Sequence, residues 1–274
     1  MSRLSREKLL IALAPKSLAL LRMARAPRAR VVATLASECD AGAGAAPWEP
    51  VVASLAKLIA DEKDADATVV LSNHFVRYTL VPRDAALKGA EEELAYARYC
   101  FARIHGERSK AWEVRLARDR GEPMRVASAV DAALLEAVRS GFPAHGGPRL
   151  VSVQPYLMAA FNRWRRLTGG RSVWLLLLEP ERACLAGLEN SRWIALRNVM
   201  GDYASPERWH VLLDRERWLL AAPAARSDVL VHAPNVRFEA IEREGWRFRP
   251  LGEPPEVNAA PRDQPLFAMA LCAA

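Results

Sequence analysis

The chain has no apolar run near the roughly 18 residues that a membrane-spanning helix needs. Its longest strand-like run is Val173 to Leu178, so no insertion into a membrane is expected. Cysteine is scarce. Cys39, Cys100, Cys184 and Cys272 stand far apart with no Cys-x-x-Cys pair, which excludes a disulfide framework and predicts buried thiols in a reducing compartment. Lysine is scarcer still for so basic a chain: only Lys8, Lys16, Lys57, Lys63, Lys88 and Lys110 contribute to 39 cations against 32 carboxylates. The net charge of +7 rests on arginine, which is spread along the chain and not blocked into a stripe. The nearest approach, Arg163, Arg165, Arg166 and Arg171 beside Trp164, reads as the end of a helix, where cations complement the macrodipole. No nucleic-acid partner is expected.

Motifs of chemistry are missing too. There is no Walker loop, no dinucleotide glycine fingerprint and no Gly-x-Ser-x-Gly elbow. His74, His105, His145, His210 and His232 have no partner at metal-ligand spacing. Glu91, Glu92 and Glu93 fall in the first turn of a helix, where the dipole favours them without any catalytic role. Neither metal nor cofactor is expected, and no catalytic residue.

What is present is an ordinary globular composition, 51% apolar and 26% charged, over 274 residues. That length suggests about two domains. It suffices to bury about 70–75% of the surface the unfolded chain would expose. At the start, Arg3, Arg6 and Lys8 precede Leu9 to Ala14 in the manner of a signal peptide. Lys16 interrupts that stretch and Arg22 and Arg25 follow, so the segment reads as mature protein in the cytosol.

Two apolar runs in residues 8–23 flank Ala-Pro-Lys-Ser, which is hairpin punctuation, with Pro15 in the turn because it cannot donate to a ladder. Arg30 to Leu35 makes a third strand. From Trp48, the apolar residues Val51, Val52, Leu55, Leu58 and Ile59 recur at helical period, and Ala67 to Leu71 is a buried strand. Phe75 to Val81 is extended. Residues 85–105 are helical, offering Leu87, Leu94, Ala97, Tyr99, Phe101 and Ile104 to a core. Strands follow at 111–116 and 124–130, then a helix capped by Asp131, a strand at 150–153 and a helix to Leu167. Gly169-Gly170 marks the boundary, giving domains of 1–168 and 169–274. The second half offers strands at 172–178, 183–188 and 193–199. A helix capped by Ser205 follows, carrying Trp209, Val211, Leu212 and Trp218, then a strand at 228–232 and a short helix at 238–244. A proline-rich connection at 250–265 leads to a closing helix at 266–272. Of the eight tryptophans, Trp48 is expected to be the exposed one.

The two halves repeat. KLLIALAPKSLALLRM followed by RVVATL corresponds to VWLLLLEPERACLAGL followed by RWIALRNV, with Pro15 and Pro180 in register. Each hairpin and third strand leads to a helix and a buried strand. The expected fold is therefore α/β: duplicated actin-like (ribonuclease H-like) domains with mixed sheets flanked by helices.

Residues 69–106, VVLSNHFVRYTLVPRDAALKGAEEELAYARYCFARIHG, resemble a segment of the PilM and GspL families, cytoplasmic assembly proteins of type IV pili and type II secretion. The segments MRVASAVDAALLEAVRS and RLVSVQPYLMAAFNRW continue the pattern. The resemblance implies an actin-like fold in a scaffold of an inner-membrane assembly platform. Its partner would be the cytoplasmic tail of a single-pass membrane protein, with the assembly ATPase as a further partner. Placement would be cytoplasmic, peripheral to the membrane through those partners.

Some members of the superfamily bind ATP, with an Asp-x-Gly phosphate loop in each hairpin. Here those loops are vestigial. In the first, Ala12 falls where the aspartate belongs, Ala14 replaces the glycine, Pro15 removes an amide, and Lys16 and Ser17 follow. In the second, Glu179 sits where phosphate would, ahead of Pro180, Glu181 and Arg182. Loss of one well-placed electrostatic group costs about 3 kcal/mol in a transition state, so a hydrolase is not expected. The rival readings are a nucleotide-binding or active ATPase or kinase of the same superfamily, and a basic nucleic-acid-binding protein. For the partner tail, alternation along 75–81 assigns Val76, Tyr78 and Leu80 to the core and leaves Phe75 and Arg77 as exposed anchors.

Overall fold

The structure, a computed structural model, describes residues 7–24, 30–40, 46–117, 122–220, 228–252 and 264–274. The first sheet is built from β1 (Lys8–Ala14), β2 (Ser17–Ala24), β3 (Arg30–Glu38), β4 (Asp66–Leu71) and, later in the chain, an element at Arg149–Pro155. Between β3 and β4 lies α1 (Glu49–Ala60), with Pro50 in its first turn and Val51, Val52, Leu55 and Ile59 turned inward. Then come β5 (Val76–Pro82), α2 (Ala90–His105), β6 (Trp112–Leu116), β7 (Met124–Asp131), α3 (Ala132–Ser140), β8 (Arg149–Pro155) and α4 (Tyr156–Thr168). The Asp131 carboxylate caps α3, accepting from the Ala133 N–H at 2.9 Å.

The second sheet uses β9 (Val173–Glu179), β10 (Arg182–Glu189) and β11 (Arg192–Met200). After α5 (Trp209–Leu219) it adds β12 (Asp228–His232), β13 (Ile241–Arg243) and β14 (Trp246–Pro250), and α6 (Pro265–Leu271) closes the chain. In place of the expected helix at 238–244 there is a hairpin, turning on Glu244-Gly245 with φ +51° and +78°. Two successive residues in the left-handed region make the tight turn that joins twisted antiparallel strands. Ser205 does not cap with its side chain, since its hydroxyl goes to the Glu207 carboxylate, and Pro206–Arg208 form one 3-10 turn before α5.

The sheet orders are β3-β2-β1-β4-β8 and β11-β10-β9-β12-β14-β13. In both, the first three strands are antiparallel and the next two run parallel to the hairpin's first strand. The duplication expected from sequence is thus present in strand order and direction. It also holds in register. Positions 15 and 180 stand 165 apart, and the same offset carries the pair Ala14↔Ser17 onto Glu179↔Arg182. It carries the bulge at Arg22/Met23 onto the one at Gly187/Leu188.

Backbone contacts divide the chain into two compact units, Met1–Val76 with Asp131–Arg163 and Glu253–Ala274, and Arg77–Val130 with Trp164–Gly252. This differs from a single cut at 168/169. The three-stranded sheet β5-β7-β6 groups with the second sheet, and α6 packs on β1, β2 and β4 through Phe267, Met269 and Leu271. A cut placed by punctuation in sequence cannot see a chain that leaves a sheet and returns to it. Cores follow the same division. Trp174, Trp209, Trp246 and Phe248 fill the second sheet's helix-covered face, and Val81, Ala97, Phe101, Val114, Ala127 and Ala129 pack between α2 and β5-β7-β6.

Candidate functional site

The two hairpin turns are where the superfamily's phosphate chemistry would sit. Their geometry comes from the local sequence: a two-residue turn led by proline, Pro15-Lys16 in one and Pro180-Glu181 in the other. Proline lacks an N–H, so each turn begins without an amide to offer an anion. The carbonyls of the second turn residues are committed to the fold. The Lys16 carbonyl accepts from the Cys39 N–H at 2.8 Å, and its counterpart, the Glu181 carbonyl, accepts from Gly201 at 3.1 Å. Each turn is thus held by the residue just past the third strand.

Ala12 is fully buried, paired with Ala19 on one side and Val70 on the other. Ala14 and Ser17 are half-buried and the Lys16 side chain is exposed. In the second turn Glu179 is half-buried, while Arg182 is buried and donates from Nη1 to Asn198 Oδ1 at 3.2 Å. Its Nε finds no hydrogen-bond partner among the described residues. Burial lowers the Arg182 pKa, the Arg77 guanidinium adds to that by repulsion, and Glu179 opposes it. A buried cation thus opens the strand that follows this turn.

Beyond β12, where a nucleotide-binding relative would turn on two glycines, the chain makes an Ala233-Pro234-Asn235 turn closed by the Val236 N–H on the Ala233 carbonyl at 2.9 Å. His232 ends the strand with its ring 4.8 Å from that of Trp164, and burial holds its pKa down at about 3, so it is neutral. Burial pushes the Cys184 and Cys272 thiols up, which favours the neutral thiol over the reactive thiolate. A cavity of about 380 Å³ opens at the ends of α1 and α3, lined by Ile59, Glu62, Gly141, Phe142 and Gly147 among others. The Glu62 carboxylate on its wall is paired with Arg22. No cluster of metal-binding side chains occurs among the described residues.

Along the strand expected to dock the partner tail, the two faces are divided differently from the expectation. Val81, not Tyr78 or Leu80, meets the helix-covered core, and period two puts Arg77 and Thr79 on the same face. Arg77 lies close enough to His105, near the end of α2, to depress its pKa after burial has done so. Phe75 and Arg77 are both half-buried, as are Tyr78 and Leu80, while Val76 is fully buried. Alternation identified two faces correctly but could not say which one α2 would cover. On α2 itself only Ala97 and Phe101 are buried. Tyr99 and Ile104, expected inside, are exposed, and the helix starts at Ala90, after a turn in which the Asp84 carboxylate accepts from the Ala86 N–H at 2.8 Å. Trp48 is half-buried. The exposed tryptophan is Trp218, on the outer face of α5 with Val211. Sequence reasoning also missed the exposed apolar β3, because local alternation does not reveal which strand ends a sheet.

No protein-family model matches the sequence, and no curated protein matches it. Solved structures do. The PilM-PilN type IV pilus biogenesis complex has a chain 18% identical, with a TM-score of 0.64, over 97% of this chain and 97% of that one. The cytoplasmic domain of EpsL, an inner-membrane component of the type II secretion system of Vibrio cholerae, is 15% identical. Its TM-score is 0.56 over 97% of this chain and 94% of that one. A Bacteroides thetaiotaomicron protein with an actin-like ATPase fold and unknown function, 9% identical, has a TM-score of 0.56 over 84% of each chain. Identities this low speak to fold alone. Two sheets of one wiring, repeated with their turn prolines and bulges in register, together with these likenesses, show that the chain has the actin-like ATPase fold in a form similar to PilM and the EpsL cytoplasmic domain.

Proposed function

We propose that the protein is a non-catalytic cytoplasmic scaffold of a type IV pilus or type II secretion-like inner-membrane assembly platform. Its partner would be the cytoplasmic tail of a single-pass membrane protein, and it would reach the membrane through that partner. Support for the setting comes from the likeness to a chain of the PilM-PilN complex and to the EpsL cytoplasmic domain. Among the described residues no helix is long and apolar enough to cross a membrane.

The observation that carries the non-catalytic reading is the pair of proline turns. Phosphate binding in a hairpin needs backbone amides free to approach oxygen and a carboxylate to order Mg²⁺ and water. Here proline removes an amide from each turn, and Ala12, sealed in β1, supplies no carboxylate.

The test is calorimetry or thermal shift with Mg-ATP. A ligand at a hundred times its Kd stabilises by about 2.7 kcal/mol, several degrees for a chain this long. The expectation is no shift at millimolar Mg-ATP and no phosphate release. A nucleotide-dependent rise that disappears in Lys16→Ala or Ser17→Ala would favour the nucleotide-binding reading instead. For the partner tail, Phe75→Ala with Arg77→Ala should remove its capture and leave Tm within a few degrees. Capture that survives would move the docking surface elsewhere.

A further inference from the structure

The cavity of about 380 Å³ lies within the first compact unit, where α1 and α3 both end. Several features give it one sign of charge. Ile59 and Ala60 close α1 and Ser140 closes α3, so two helix C-termini line it, each with the partial negative charge of its last carbonyls. Of the described residues on its walls, Glu62 is the one acidic or basic side chain. The Arg22 guanidinium that Glu62 binds is shared with Glu7, so two carboxylates meet one cation and a negative charge is left over. The cations of the last turns, Lys57 and Arg139, are not among the lining residues, and Arg139 lies 3.9 Å from Glu136.

The remaining surface is largely apolar. Ala56, Ile59 and Ala60 form one wall, and Phe142 and Pro143 stand in the loop that forms the other. That loop is tightly folded: a Cβ at Gly147 would lie 2.7 Å from Pro143 Cγ, so only glycine fits there. The volume is at the low end of the range for ligand sites, about 300–1,000 Å³, and admits a long side chain but not a folded element. Apolar walls with a negative end suit an amphipathic cation, whose methylene stem lies on the walls while its head reaches carboxylate and carbonyl oxygens. Arginine suits them better than lysine, because a guanidinium is less strongly hydrated and donates to several acceptors at once. A bare metal ion would find no cluster of ligands among the described residues.

We propose that this cavity takes an arginine side chain from a basic segment of a partner protein. In the platform role proposed above, that segment is the cytoplasmic tail of the membrane partner, and this part of the assignment rests on that reading. Charge favours it, since cytoplasmic segments beside a membrane span carry an excess of lysine and arginine. An acidic segment would bring its carboxylates against Glu62 and the two helix ends. The site shares no residue with the strand at 75–81.

The experiment titrates the full chain, isotope-labelled at its glycines, with Nα-acetyl-arginine amide and separately with the uncharged isostere Nα-acetyl-citrulline amide. Gly141, Gly146 and Gly147 line the cavity, and their amide signals report on it. Those signals should shift saturably with a Kd of about 1 mM, in keeping with so small a ligand. Citrulline amide should bind roughly tenfold more weakly or worse, having lost the charge. Ala60→Phe puts a ring in the cavity and leaves Glu62 with Arg22, and it should abolish the shifts; Ala60 is exposed, so the helix accommodates the change. Glu62→Gln should weaken binding about tenfold, with Tm separating that loss from a loss of fold. Ala60→Phe should also lower capture of the membrane partner's tail. Signals that do not saturate, that respond equally to both probes, or that persist in Ala60→Phe overturn the proposal. Tail capture indifferent to Ala60→Phe overturns the assigned occupant. Self-association in sedimentation that Ala60→Phe removes would put an arginine of a second copy in the cavity, and overturns it equally. No arm uses nucleotide, so a Mg-ATP response that sank the scaffold reading would leave the outcome of the titration standing.

Discussion

The same bulge is filled in opposite ways in the two halves. At the first, Arg22 stands across the ladder from Leu9 and its guanidinium is shared by the Glu7 and Glu62 carboxylates. At the second, Gly187 stands across from Trp174, whose ring lies where a Cβ at 187 would be only 3.2 Å away. Leucine with arginine has become tryptophan with glycine. The first half solves the position with a part-buried ion-pair network, the second with an aromatic slab that needs an empty place opposite. Duplicated wiring therefore does not imply duplicated packing: backbone hydrogen bonds preserve the register, and side-chain volume is free to redistribute across a cross-strand pair.

Three measurements would break or sharpen that comparison. The largest effect should come from Gly187→Val. Its side chain meets the Trp174 ring and the Ile194 side chain, and overpacking of this kind costs about 1–3 kcal/mol. Urea denaturation should show a loss at the upper end, because Trp174 is 2% exposed and anchors the core with Trp246 at 6.1 Å. A variant of wild-type stability would mean that the ring has room to move, and the volume exchange would lose its meaning.

Next is the acid response of the second half, which holds His232. Its folded pKa of about 3 lies below the unfolded value, so between about 3 and 6.5 the unfolded chain binds the extra proton and stability falls as pH falls. Each pH unit in that window corresponds to about 1.4 kcal/mol. Between pH 7 and pH 5 the loss assigned to this residue is therefore about 2 kcal/mol. His232→Gln should flatten the dependence of ΔG on pH across that window, and equal slopes in the two proteins would show that the buried imidazole is not what titrates.

The smallest effect separates the two turns. Glu181 has φ +57°, whereas its counterpart Lys16 is not in the left-handed region. Left-handed backbone costs an ordinary residue about 1–2 kcal/mol, and glycine returns about half of that through its greater freedom in the unfolded chain. Glu181→Gly should raise stability by about 0.5 kcal/mol and Lys16→Gly should lower it. A matched response would indicate that the turns differ less than their dihedrals do.

Much of this fold was legible from residues alone, for local reasons. A two-residue turn fixes hairpin register, so Pro15 and Pro180 located both hairpins and aligned the halves. Asp131 announced its helix because a capping carboxylate works through the next two residues. The lack of aspartate and glycine at Ala12, Ala14 and Glu179 was equally visible, since residue identity needs no coordinates. The β13–β14 hairpin was not read, because Phe238 to Glu244 carries enough apolar spacing to pass for a helical turn and Glu-Gly is a modest turn signal.

The sequence by itself determined the order of the elements outside the β13–β14 hairpin, the register of the two proline hairpins and the repetition of the unit, because these depend on chain connectivity and on contacts a few residues apart. The tertiary structure alone decided which face of β5 is covered, so that Val81 lies in a core and Arg77 near His105. It also decided that α6 belongs with the first sheet, and that β3 ends a sheet uncovered while β11 does not. Each of these depends on what arrives from a distant part of the chain. An alternating strand carries the same pattern whether a helix lands on one face, the other or neither.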